Sequence, residues 1–136
     1  MGQLHALDGG AMRVLIADRS ASVRERISRM FAPVDGAEIV GLAKNWTDCL
    51  ETMSNALPDV VILDIQLIRW KNINDLTECK QQNAEMTIIV LTDLTAFPYR
   101  TLCLKAGVDF YLDRSTGIEK LRNVIQGLNQ RSGTKG

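Results

Sequence analysis

The chain has 136 residues, enough for one domain with a core of its own. Apolar residues make up 46% and charged residues 24%, and sixteen basic side chains cancel sixteen acidic ones. That balance leaves no basic excess to hold nucleic acid, and no apolar run approaches the roughly 18 residues that span a membrane.

Residues 1–12 lack the charged-then-apolar pattern of a signal peptide. They read as a flexible, Gly-bearing lead, and the chain is expected to be cytoplasmic. Cys49, Cys79 and Cys103 form no CxxC pair, and the one histidine, His5, lies in the lead. A structural zinc site is not expected on that spacing. The three thiols are expected in helices, buried or half-buried in a reducing compartment.

Strands and helices alternate after the lead. Arg13 to Ala17 is the first strand. Val23, Ile27 and Met30 recur at helical spacing, and Ser22-Val-Arg-Glu25 reads as a capping box, with Ser20 and Ser22 as capping residues. Pro33 stops that helix. The second strand runs from Glu38 to Ala43, and Leu50, Met53 and Leu57 mark a helix ending before Pro58. Val60 to Ile65 is a short run rich in β-branched residues, the pattern of a strand buried on both faces. Ile73 to Gln82 is a weaker helix with Leu76 and Cys79 inward, and Thr87 to Thr92 is the fourth strand. Pro98 opens a helix with Tyr99, Leu102, Cys103 and Ala106 facing the core, and Gly107 closes it. Val108 to Leu112 is the fifth strand. Thr116-Gly-Ile-Glu119 is a second capping box, before a stripe of Ile118, Leu121, Ile125 and Leu128. The tail 131–136 is polar and expected to be flexible. One domain, 13–130, remains.

Five βα units predict an α/β fold: a doubly wound parallel five-stranded sheet, flavodoxin-like, in the order 2-1-3-4-5. Ligands bind such sheets at the carboxyl ends of the strands. Asp18 and Asp64 each end an apolar run, so two carboxylates are expected in one acidic pocket there. Thr92 and the loop after Leu112 border it.

Four segments carry a resemblance to a known family. They are Val14-Leu-Ile-Ala-Asp18, Pro58-Asp-Val-Val-Ile-Leu-Asp64-Ile, Ile89-Val-Leu-Thr92 and Ala106-Gly-Val-Asp-Phe-Tyr-Leu-Asp-Arg-Ser115. In that order and spacing, from about Arg13 to Leu128, the chain resembles the receiver domain of two-component response regulators. The resemblance implies that Asp64 accepts a phosphoryl group from a histidine kinase and that the domain signals through protein contacts rather than acting as an enzyme. It implies Mg²⁺ held by the acidic pocket, Asp18 and Asp64, together with the Gln66 main-chain carbonyl. Thr92 would bond the phosphoryl oxygen, Tyr111 would swing with it, and Arg114 stands where the family places a Lys. Implied partners are a sensor histidine kinase or phosphotransfer protein, a downstream protein or an output domain outside this chain, and a possible second copy. The face of the fourth helix, fifth strand and fifth helix is the expected contact surface.

The departures concentrate at the pocket. The acidic pair is Asp18-Arg19, the usual Pro after the phosphoacceptor is Ile68, the usual Gly is Asn72, and Asp93 follows Thr92. Arg cannot be deprotonated at physiological pH. Arg19 could therefore reach Asp64 and take the cation's place, or point to solvent. Asp93 could pair with Arg19 or Arg114, or repel a phosphoryl group. Mg²⁺ binding is expected to be weak or absent, and phosphorylation slow or absent. The alternative function is a degenerate pseudo-receiver, a phosphorylation-independent interaction module. A phosphatase with an Asp nucleophile is disfavoured, because the general-acid position two residues on is Gln66, which cannot titrate. Flavin binding is disfavoured by the Gly-free, acidic loop after Ala17. Trp46 and Trp70 read as packing or interface residues.

Overall fold

The computed structural model describes residues 12–68, 73–94 and 97–135. The order is β1 (Met12–Ala17), α1 (Ala21–Phe31), β2 (Ala37–Ala43), α2 (Trp46–Ala56), β3 (Val60–Leu63), α3 (Asn74–Gln82), β4 (Thr87–Thr92), α4 (Phe97–Lys105), β5 (Phe110–Asp113) and α5 (Gly117–Lys135). All strand pairs are parallel, and the sheet order is β2-β1-β3-β4-β5. This is the doubly wound topology that the alternation predicts.

The period-two geometry of strands divides the core into two layers. Leu15, Ala17, Val61, Leu63, Ile88 and Val90 point to one face, against Cys49 and Met53 of α2, Leu76 of α3 and Cys103 of α4. Val14, Ile16, Val60, Ile62, Ile89 and Leu91 point to the other, against Ile27 and Phe31 of α1 and Leu121 and Ile125 of α5. All four residues of β3 are buried, which is why this strand reads as a continuous apolar run without alternation. Cys49, Cys79 and Cys103 all fall in helices, as expected, and burial pushes Cys49 up to about 12 and Cys103 to about 11.

Several local expectations are corrected. β3 ends at Leu63, and Ile65–Leu67 forms a 3-10 turn capped by the Asp64 side chain. The third strand therefore stops short of Ile65 because Asp64 turns the chain. α1 is capped by Ser20, whose side chain accepts from Val23 N, and its first turn holds no acid. The Ser22–Glu25 box lies inside the helix instead. Leu102 faces solvent rather than the core. β5 begins at Phe110, and Val108 lies in the connection before it. α5 continues to Lys135, into the segment expected to be a loose tail. Met12 joins β1, so the lead lies outside the described residues except for its last one. Trp70 and Asn72 also lie outside them.

Leu57 ends α2 in a left-handed conformation, φ 48°, with 65% of its surface exposed. A β-carbon in that region is strained, and glycine is not. Leu57→Gly should raise unfolding stability by about 1 kcal/mol. A denaturation midpoint that is unchanged or lower would contradict this.

Candidate functional site

The sheet ladder sets the site. Asp18 N donates to Ala43 O at 3.0 Å, Asp64 N to Ala17 O at 2.9 Å, and Arg114 N to Thr92 O at 2.9 Å. Backbone bonds thus continue one residue past β1, β3 and β5, and hold these three residues at the carboxyl edge. Asp18, Asp64 and Thr92 are the buried polar side chains of the described residues.

A single guanidinium nitrogen joins the two carboxylates. Arg114 Nη2 donates to Asp18 Oδ2 at 2.5 Å and to Asp64 Oδ2 at 2.9 Å. Arg114 Nη1 reaches Asp93 Oδ2 at 3.4 Å, and Asp93 is largely exposed. Arg114 Nε is buried and has no partner. The remaining carboxylate oxygens are also engaged. Asp18 Oδ1 accepts from Ser20 N at 2.8 Å, and Asp64 Oδ1 accepts from Gln66 N at 3.0 Å. Thr92 Oγ1 lies 3.4 Å from Asp64 Oδ1, a long contact, and accepts from Leu94 N at 3.2 Å.

Arg19 does not reach Asp64. It is exposed, and its guanidinium donates to the Gln66 side-chain oxygen. The cation at Asp64 is Arg114, and Asp93 pairs with Arg114 among the choices open in the sequence. Geometry explains the difference. Arg114 follows β5 and extends back across the strand ends, whereas Arg19 sits on the outward side of the turn into α1. Sequence reasoning also missed Arg24, whose Nη1 donates to the Asp18 carbonyl at 2.6 Å from the first turns of α1. Its position six residues after Asp18 was the available signal.

Burial raises the Asp18 pKa, although the Ser20 N–H and the Arg114 charge oppose it. At Arg114 burial works against the charge, but Asp18, Asp64 and Asp93 together outweigh it and raise the pKa. Burial dominates at the carboxylate and pairing dominates at the guanidinium. That split is expected of a buried ion pair, where desolvation and attraction nearly balance.

Mg²⁺ asks for near-octahedral oxygen ligands at about 2.0–2.1 Å. Here a guanidinium nitrogen lies between the two carboxylates. No group of three or more His, Cys, Asp or Glu able to hold a metal occurs among the described residues. With Arg114 in this position the residues present do not fit a divalent ion.

Tyr111 is buried, and its hydroxyl donates to the Leu94 carbonyl, in the loop that follows Thr92. Arg100 Nη1 lies 3.4 Å from the Tyr111 carbonyl. Away from the pocket, half-buried Trp46 donates to Asp75 Oδ2 at 3.1 Å and ties α2 to α3.

Comparison with known proteins agrees with the fold. The family model described as the response regulator receiver domain matches residues 14–126. The chain belongs to the response regulator receiver domain family. This receiver is 27% identical over 115 residues to the response regulator GacA of Pseudomonas aeruginosa, covering 85% of the chain and 54% of that protein. It is 28% identical over 121 residues to the response regulator MprA of a Mycobacterium species, covering 89% of the chain and 52% of that protein. It thus spans about half the length of these relatives. Among solved structures, a DNA-binding response regulator of the LuxR family from Staphylococcus aureus superposes with a TM-score of 0.75 at 23% identity, covering 87% of this chain and 98% of that one. The isolated receiver of RcsB from Salmonella enterica serovar Typhimurium superposes with a TM-score of 0.77 at 19% identity, covering 91% and 96%. No helix among the described residues of this receiver is long and apolar enough to cross a membrane.

Burial pushes the Tyr111 phenol up to about 12. Its ionised form is disfavoured in the fold, so its stabilising contribution is complete below the ordinary phenol value near 10 and is lost as pH rises through the folded value. Alkaline titration followed by phenolate absorbance should show a late ionisation that Tyr111→Phe removes. A native titration complete at the ordinary value would contradict a buried, bonded hydroxyl.

Proposed function

We propose that this receiver accepts a phosphoryl group on Asp64 and passes the resulting change to a protein partner. The observation that carries the reading is the meeting, at one sheet edge, of a buried carboxylate, a Thr hydroxyl and a guanidinium with a spare donor. A buried N–H without an acceptor costs about 1–3 kcal/mol. A phosphoryl oxygen at Arg114 Nε would remove that cost.

In the proposed step Asp64 Oδ2 attacks the donor phosphorus. A P–O bond forms, the bond from phosphorus to the donor histidine nitrogen breaks, and the electron pair stays on that nitrogen. Charge neutralisation and positioning dominate such transfers, and here Arg114 supplies the charge. Arg114 Nη2 must first move off Oδ2, since Asp64 is buried and that oxygen is engaged. This displacement makes the transfer slow. Thr92 Oγ1 bonds the phosphoryl group, and the Thr92–Leu94 loop carries the change to Tyr111. The donor is a sensor histidine kinase or phosphotransfer protein. The recipient is a downstream protein, a second copy or an output domain, met through α4, β5 and α5, where Leu102 and Leu104 are exposed.

One observation favours a second reading, a pseudo-receiver that works by protein contact alone. Each Asp64 oxygen already has a partner, and a cation stands in front of the nucleophile.

Incubation with acetyl phosphate followed by intact mass measurement separates the two. The first reading expects a slow gain of one phosphoryl group that Asp64→Asn abolishes. No gain, while a reactive receiver gains in parallel, leaves the contact module as the function.

A further inference from the structure

We infer that Arg114 is the resident cation of the acidic pocket, a covalently tethered replacement for a divalent ion. This inference does not depend on whether Asp64 is phosphorylated.

The argument starts from the carboxylates. Asp18 follows β1 and Asp64 follows β3, on adjacent strands, and both side chains are buried. Two ionised carboxylates a few ångströms apart repel by several kcal/mol at the dielectric of a protein site. Some positive charge must stand between them, or one must take a proton. Arg114 Nη2 stands there, at 2.5 Å and 2.9 Å from the two acids. Its Nη1 faces Asp93 after β4, and its own N–H is tied to Thr92. One side chain therefore joins the ends of β1, β3 and β4 to the end of β5, as a bridging ion would.

A soluble ion competes poorly for this place. Asp18 and Asp64 would supply two carboxylates, and the residue after Asp18 is a second cation, Arg19, whose guanidinium donates to the Gln66 side chain. An incoming Mg²⁺ would have to displace the Arg114 guanidinium from between the two acids. Arg114 is also present at a high effective concentration, because it cannot diffuse away. Guanidinium stays charged at any physiological pH. The pocket thus keeps a permanent positive charge between its two acids, and its geometry should not respond to Mg²⁺.

Thermal unfolding with and without millimolar MgCl2, against NaCl of matched ionic strength, tests this. The wild type should shift by less than about 1 °C. Arg114→Ala should melt about 10 °C lower without Mg²⁺, because two buried carboxylates lose their partner. Mg²⁺ should then raise the variant by about 3–5 °C, since the vacated place can take an ion. Arg114→Gln, closer in volume, is measured alongside in case the alanine variant does not fold. A saturable Mg²⁺-dependent rise in the wild type overturns the inference on its own. So do variants as stable as the wild type, or variants that Mg²⁺ fails to stabilise. The acetyl phosphate assay reads a different event, so failure there leaves this inference standing.

Discussion

Two ionised carboxylates buried at neighbouring strand ends repel each other, and they stay ionised together only with a cation between them. The rest of this site depends on that constraint. Arg114 answers it with one nitrogen shared by Asp18 and Asp64. The pairing is buried enough that desolvation still weighs on Asp18. It is tight enough that the acids raise the Arg114 pKa against burial. A pair of this kind contributes little net stability, but losing one member is costly. The site is therefore specific in geometry rather than strong in free energy.

The sheet makes the constraint unavoidable. Parallel pairing of β1 with β3 sets Ala17 beside Leu63, so the residues that follow, Asp18 and Asp64, emerge side by side. Pairing of β4 with β5 sets Thr92 beside Asp113, and Arg114 comes next. Four pocket residues are thus placed by register, not by loop conformation. The same edge leads outward through Thr92, Leu94 and the Tyr111 hydroxyl. A short run of hydrogen bonds joins the pocket to the Tyr111 hydroxyl on β5.

Much of this was legible in the sequence because core strands and strand-end charges follow simple rules. The run Val60–Leu63 is apolar because both faces are covered, and the polar residue that ends it is Asp64 at the carboxyl edge. Sheet order and the positions of Asp18, Thr92 and Arg114 follow from the alternation and the family resemblance. What the sequence left open was direction. Arg19 and Arg114 are both cations near one pocket, and only the three-dimensional path of each side chain decides which meets Asp64. Leu102 lies near a helical stripe but on the solvent side of α4, a rotation that apolar spacing resolves poorly in a nine-residue helix. Ser20 rather than Ser22 caps α1 because the chain leaves β1 through a turn in which Asp18 accepts the Ser20 N–H. The 3-10 turn after β3 has a similar cause, since the Asp64 carboxylate accepts from Gln66 N and bends the chain.

The central claim is that the pocket's cation is part of the chain. The most direct measurement is a nuclear magnetic resonance titration with MgCl2, following the backbone amides of Asp18, Asp64 and Gln66 and the guanidinium of Arg114. A tethered cation predicts that these signals stay in place while salt is added, apart from the uniform drift that NaCl also causes. A saturable movement of the Asp18, Asp64 and Arg114 signals with Mg²⁺ alone would mean that a soluble ion displaces Arg114, and would contradict the account.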